Sequence, residues 1–595
     1  MTTAQRTTEL ELLKEGLPTR RRRFGWSPRR SDLLAAVGFT GLSVFVLGGQ
    51  WRAPTTGYLV GSDQDQRMWE WFFAVGARAV FHLENPLGSV LQNYPQGVNL
   101  MGNTAMLGLS IPLAPVTAIF GPTMTWTLAM TIGLAGTAYA WYWLFSRYAV
   151  ESRAAAAVGG LLCGFAPAMI SHANGHPNFV VLGVLPLILA CAISLGRGAR
   201  RRVSVVLGLL IAWQIMLGEE PLLILAIGSV IFGVCYLACA PRLAIAMART
   251  LARPLLLAAA VAAVLVAVPL WWQFFGPQSY SNLTHGSWSN DLQSLWKFSP
   301  QTLGGLVDGS KVLGRSGTEF NSYFGWPLLA MTAGIALWLR RSPLARAASI
   351  TALVMIVLSL GPTLKVGGAD TGIPMPWRVL DSLPLFESVL ETRLTMAAVP
   401  LIGLLLALAT DRVLRRGSMT ATGAWVVLLA LTLAPLAPLP ISAVVREPTP
   451  VFFEKGVWQD YVDHGSVVVV PLPQLADATA LTWQIDAKMG FPLAGGYFVG
   501  PAGPDDKGGY GAPTRPTAKL LGEVLSSGVV PQITAEERAQ AVVDLRFWQA
   551  DVVVLPTGKN SDALRTTVQD LLGDAGHRAA DVWVWDVQSL VGATR

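Results

Sequence analysis

Three groups of polar residues interrupt an otherwise apolar chain, and their types and spacing decide which chemistry is open to it. The first is Asp63-Gln64-Asp65, a pair of carboxylates shortly beyond the first apolar run. A carboxylate held there could deprotonate a sugar hydroxyl as it attacks an anomeric carbon. On spacing alone, the pair could equally cap the helix that follows. The Asp-x-Asp spacing is also that of metal-binding pairs in nucleotide-sugar enzymes, but nucleotide sugars are cytosolic and this pair is expected outside. The second group is Ser171-His172-Ala173-Asn174-Gly175-His176-Pro177-Asn178. Two histidines four apart could bind a metal if helical, yet Gly175 and Pro177 argue against a helix. Binding of phosphate or sugar hydroxyls by His176 and Asn178 is the better functional reading, beside that of a polar turn closing a helical hairpin. The third is Glu219-Glu220-Pro221, two adjacent like charges that would raise one another's pKa if partly buried. They could orient an acceptor or the His172 loop, or form a solvated turn.

The elements that must position these groups are membrane spans. Of 595 residues 52% are hydrophobic and only 14% charged, with a mean hydropathy of +0.46. Soluble domains carry about 25% charged residues, so an ordinary cytosolic enzyme is excluded. Apolar stretches able to cross a ~30 Å hydrocarbon layer run near 33–50, 124–145, 154–170, 180–196, 203–218, 222–240, 255–273, 326–339, 347–361, 394–410 and 422–441. A twelfth candidate, 105–121, contains Pro112 and Pro115 and is expected to be re-entrant or interfacial. With it excluded, 23 Lys and Arg fall inside and 9 in the outer loops, as the positive-inside rule requires. The N-terminus is then cytoplasmic, and the outer loops 51–123, 274–325 and 362–393 share a side with the tail and with every histidine. About thirty mostly polar residues, including Arg20-Arg21-Arg22-Arg23, precede the first run, so 1–32 is expected to be a cytosolic basic arm and not a cleavable signal. None of the eleven spans holds an ionisable residue in its core, unlike transporters and pumps.

Net charge divides along the chain, +13 over 1–445 and −6 over 446–595, so the basic excess belongs to the membrane half and does not point to nucleic acid. Residues 446–595 read as one extracytoplasmic α/β domain. Its strands are Ser466 to Leu472, Asp551 to Leu555 and Asp581 to Val587, with a capping box from Thr534 to Glu537. The glycine-rich stretch 494–512 carries no phosphate-loop pattern and is expected to be a mobile lid or an acceptor contact. From Trp69 onward Trp69, Phe72, Phe73, Gly76, Val80 and Leu83 share one helical face, which predicts an amphipathic helix along the outer leaflet. The four cysteines all lie in apolar runs and support neither a disulfide framework nor a cysteine metal site.

An Asp just beyond the first span, a long first loop and alternating outer loops resemble the GT-C superfamily of membrane glycosyltransferases. Shorter pieces resemble bacterial, notably actinobacterial, YfhO-like multi-span proteins. These are Gly61-Ser62-Asp63 with Gln66 and Trp69, Tyr94-Pro95-Gln96-Gly97-Val98-Asn99, Gly175-His176-Pro177-Asn178, and Leu383-Pro384-Leu385-Phe386 with Glu391-Thr392-Arg393. The resemblance implies a polyprenyl-phosphate sugar donor, inversion at the anomeric carbon, and an envelope glycan or glycolipid acceptor on the outer face of a bacterial plasma membrane. It implies Asp63 as the base, with Asp65 in reserve. Arg393 would hold the donor phosphate, because a guanidinium binds phosphate bidentately, with Arg378 and Lys297 as further candidates. His172, His176, Asn178, Glu219, Glu220 and Trp69 would contact substrate. Nothing in the sequence requires a divalent metal, and neither sugar, acceptor nor oligomeric state is specified. A lipid or glycan flippase and a non-catalytic assembly scaffold are the competing functions.

Overall fold

The computed structural model describes residues 29–592 except 200, 284, 287, 310, 311, 385 and 504. Most of the basic arm therefore lies outside the described residues. By compactness the chain forms two units that interleave along the sequence. The first comprises 1–60, 127–267 and 285–444, and the second 61–126, 268–284 and 445–595.

The first unit is helical. Among the described residues six helices are long and apolar enough to cross a membrane: Arg153–His172, Pro177–Gly196, Glu219–Cys239, Pro241–Phe275, Glu391–Arg415 and Met419–Leu436. Trp326–Trp338 and Pro343–Leu358 are apolar but shorter. At 1.5 Å per residue, a 13-residue helix reaches only about 20 Å, short of the hydrocarbon thickness. The chain is thus a multi-pass membrane protein. Residues 105–121 hold only two short helices, Leu107–Ser110 and Ala114–Phe120.

Two helices of this unit approach especially closely, Arg153–Phe165 and Thr395–Arg415. A Cβ on Gly159 would lie 2.6 Å from the Gly403 carbonyl, and one on Gly403 would lie 2.9 Å from Cys163 Sγ. Only hydrogen at both positions permits this contact, which is how membrane helices gain dispersion energy that lipid cannot displace. Leu162, Val399, Ile402 and Leu406 continue the same buried cluster. The first helix runs on into His172 and the second begins just after Arg393, so the crossing fixes both ends of the site described below.

The second unit is built on a four-stranded sheet. Strands β1 (Ser466–Val469), β2 (Ala550–Leu555), β3 (His577–Ala579) and β4 (Val582–Asp586) stand in the order β3-β4-β2-β1. β2 runs parallel to β1 and antiparallel to β4. The parallel pair requires a long crossover, supplied by the segment that carries helices Pro516–Ser527 and Ala535–Phe547. Leu521, Val524, Leu545, Trp548 and Val568 pack over the sheet residues Val468, Val553 and Trp585. Thr534 and Glu537 form the capping box that their spacing predicts.

Residues 61–126 belong to this unit, and their first helix, Asp63–His82, differs from the sequence expectation. Trp69, Trp71, Phe72, Phe73 and Val75 are all buried, although they point to several sides. Trp71 Nε1 donates to Gln484 at 2.6 Å, and Arg67 Nη1 donates to Thr482 at 2.8 Å. Both partners sit on helix Thr479–Asp486. A helix apolar or hydrogen-bonded on most sides is a core helix and not one lying on lipid. Trp69, only 3% exposed, is accordingly a core residue rather than a sugar platform. The glycine-rich stretch is likewise held in place, with strands Val499–Pro501 and Gly508–Tyr510 forming a hairpin. At Gly496, whose φ is +148°, a Cβ would lie 2.2 Å from Gln92 Oε1.

Candidate active site

In the first unit, a buried ionic cluster gathers residues from four separate stretches of sequence. Arg393 lies in the short helix Glu391–Leu394 that leads into Thr395–Arg415. Its Nε donates to Glu319 at 3.1 Å to Oε1 and 3.3 Å to Oε2, and its Nη2 also donates to Oε1. Its Nη1 donates to Glu220 Oε2. The guanidinium stacks on Phe179, 4.4 Å from the ring centroid. Each guanidinium nitrogen thus donates to a carboxylate and one face is stacked, while the side chain keeps 12% exposure.

Glu319 is the hub. Asn321 Nδ2 donates to its Oε2 at 2.8 Å, while His176 Nδ1 lies 3.3 Å from its Oε1 and His172 Nε2 lies 4.0 Å from Oε2. Burial would raise the Glu319 carboxyl, but Arg393 and the two histidines outweigh it and hold it well below the usual carboxylate range. Nearby, burial and the charge of Arg393 push the His285 imidazole down to about 4.

The histidine turn is shaped by the breakers seen in the sequence. Helix Pro167–His172 stops at His172, and a new short helix begins at Pro177. Although no helix joins them, the two Nδ1 atoms come within 3.2 Å across the turn. His172 is fully buried and stacks on Phe179 with centroids 4.8 Å apart. Ser171 latches the turn to the loop carrying Glu319: it donates to the Gly317 carbonyl at 2.9 Å and accepts from Phe320 N at 2.7 Å. His172, His176 and Glu319 are the group among the described residues with ligand atoms close enough together to hold a metal ion. The helix-based argument against a metal therefore does not hold, because a turn achieves the approach that a helix would.

The first-loop carboxylates lie in the second unit. Ser62 precedes the helix without a side-chain cap, and Asp63 and Asp65 both fall in its first turn, where negative charge suits the helix dipole. Neither serves as the N-cap residue. Asp63 pairs with Arg67 at 3.2 Å and keeps 46% of its side chain exposed, so it can meet a solute. Asp65 is buried and accepts from Tyr497 Oη at 2.8 Å; burial and this carboxylate together raise the Tyr497 phenol.

The remaining sequence candidates divide. Glu220 joins the Arg393 cluster, and Glu219 sits beside it in the first turn of helix Glu219–Cys239. Asn178 is half-buried in the short helix Pro177–Phe179. Arg378 is exposed on the short helix Pro376–Val379, and Lys297 is half-buried after helix Leu292–Leu295. Among the described residues neither forms an ion pair with the cluster's carboxylates. Glu319 was not singled out by sequence, since it lies in a loop of mixed polarity with no local pattern; its partners are reached only through the fold.

Among solved structures, the chain is similar to the arabinofuranosyltransferase AftD from Mycobacteria, at 14% identity and a TM-score of 0.54, over 95% of this chain and 40% of that one. It is also similar to the oligosaccharyltransferase of Archaeoglobus fulgidus, at 13% identity and a TM-score of 0.49 over 91% and 72% of the two chains. A third is ArnT from Cupriavidus metallidurans bound to undecaprenyl phosphate, at 14% and 0.47 over 93% and 97%. At these identities the likeness is one of fold. No protein-family model and no curated protein matches the chain.

Proposed function

We propose that this protein is a membrane glycosyltransferase that moves one monosaccharide from a polyprenyl-phosphate donor to an envelope glycan or glycolipid, with inversion. The observation that carries the reading is the buried Arg393 cluster. Five chemically active side chains are held together with little water around them, where charged groups act most strongly on a bound anion. Ionisable groups gathered inside a membrane protein mark a functional site by default. Arg393 binds the donor phosphate, and His176 and Asn178 contact phosphate or sugar hydroxyls. Asp63, with nearly half of its side chain exposed, takes the proton of the acceptor hydroxyl, and Asp65, already bonded to Tyr497, is the reserve.

The membrane arrangement that suits this chemistry has eleven spans, a cytoplasmic N-terminus and an extracytoplasmic 446–595. The charge count of the loops supports it. The test is purification in mild detergent with mass spectrometry of the lipid that comes with it, followed by transfer from a synthetic polyprenyl-phosphate sugar to envelope glycan. A co-purified polyprenyl phosphate and labelled product are expected; absence of both would sink the proposal.

A further inference from the structure

Around Arg393 two carboxylates, Glu220 and Glu319, converge on a single guanidinium, with both histidines of the turn beside Glu319. A guanidinium already donating to two carboxylates has fewer donors left for an incoming phosphate, so a further positive group would complete an anion site.

The geometry points to where. Ligands of a tetrahedral zinc-class ion, bound at about 2.0–2.1 Å, stand roughly 3.3 Å apart. His172 Nδ1 and His176 Nδ1 are 3.2 Å apart, and His176 Nδ1 is 3.3 Å from Glu319 Oε1. All three residues present a ligand atom within 4.8 Å of the others. The second ring nitrogen of His172, Nε2, is buried without a hydrogen-bond partner, beside Glu319 Oε2 at 4.0 Å. Imidazole and carboxylate together suit zinc, cobalt or manganese better than calcium or magnesium.

We propose that His172, His176 and Glu319 form a divalent-cation site of the zinc class, and that the cation supplies positive charge to which a phosphate can bind. Two imidazoles and one carboxylate leave a four-coordinate ion one open position, the pattern of sites that bind an exchangeable ligand. Arg393 then acts as the partner that orients Glu319, since it donates to both carboxylate oxygens. Neither Asp63 nor Asp65 belongs to the ligand set. The charge argument rests on the proposed phosphate chemistry; the ligand geometry stands without it.

The experiment uses the full chain in detergent, stripped with a chelator and exposed to Zn2+ or Co2+ alone, with no lipid donor. One ion per chain should survive dialysis by elemental analysis. Co2+ should give visible d–d absorption that an equivalent of Zn2+ abolishes. His176→Gln, which alters a half-buried side chain, should fold normally by thermal unfolding without metal yet lose at least tenfold in affinity. Asp370→Asn, an exposed carboxylate outside the cluster, should bind the ion as the unaltered chain does. Failure of the unaltered chain to retain metal overturns the site, as does equal retention by His176→Gln. A chain that binds zinc stoichiometrically but transfers no sugar would keep this site and sink the transferase reading.

Discussion

Arg393 stands between Glu220 and Glu319, and removing it does two different things. On the proposed reading it deprives a donor phosphate of its partner, and it leaves Glu220 and the buried Glu319 without their cation. Breaking a buried pair in this way costs about 3–5 kcal/mol. Arg393→Ala is therefore expected to lower the unfolding temperature as well as donor affinity. Arg393→Lys keeps the charge but loses the bidentate fork, so it should stay folded and weaken donor binding alone. Asp63→Asn, exposed and paired only to Arg67, should fold and bind donor normally while single-turnover transfer falls by about 10²- to 10⁴-fold, the usual worth of a general base. Near-normal transfer by Asp63→Asn would shift the role to Asp65 or remove it. At this scale the sequence marked His172, His176, Glu220 and Arg393 as separate candidates. It could not show that they converge, because the residue that joins them, Glu319, is one of three acidic residues in a long loop and has no periodic neighbours.

Among elements, the crossing of Arg153–Phe165 with Thr395–Arg415 is the one the site depends on. Gly403→Leu would force a side chain into the Gly159 backbone and Cys163, at a cost of about 1–3 kcal/mol or more. Because His172 and Arg393 sit at ends of these helices, donor binding on the proposed reading should fall with stability. Gly423 in helix Met419–Leu433 has nothing within 4 Å of its would-be Cβ. Gly423→Ala should be neutral or stabilising by up to about 1 kcal/mol. Thermal unfolding in detergent compares the two directly. The long helices were legible because a run of twenty apolar residues has few alternatives to a membrane helix. The first-loop helix was legible as a helix but not in its surroundings. Periodicity reports one apolar face and is silent about Thr482 and Gln484, which cover the other sides from about four hundred residues away.

For the whole molecule, the arrangement of spans is open to a direct measurement. Ser526→Cys should react with a membrane-impermeant thiol reagent in intact cells, whereas Ser418→Cys should react only after lysis; labelling of position 418 in intact cells overturns the eleven-span arrangement. The second unit also carries a pH dependence. Burial would raise the Asp544 carboxyl, but bonds from Thr517, Arg515 and Gln540 more than compensate and lower it. A carboxylate whose folded pKa is depressed stabilises above its unfolded value, about 3.9, and loses that contribution as pH falls through the folded value. Tryptophan fluorescence unfolding should show this acid-side loss, and Asp544→Asn should flatten it. The sequence suggested a tail domain lying end to end with a membrane domain. The interleaving was hidden because the bonds that define it, such as Arg67 to Thr482, have no local signature.

That interleaving sets a timetable for biosynthesis. The helix Asp63–His82 leaves the ribosome roughly 400 residues before the helix that covers it, an interval of about 20–80 s at ordinary rates of synthesis. Throughout it, the Trp71 indole is without Gln484 and Arg67 without Thr482, the partners they later bond. Nascent chains truncated before residue 479 should therefore be captured by folding helpers, and a chain that ends there should be degraded rather than accumulate. For this protein, the interval between the two halves of one unit is a period of vulnerability that the finished molecule no longer shows.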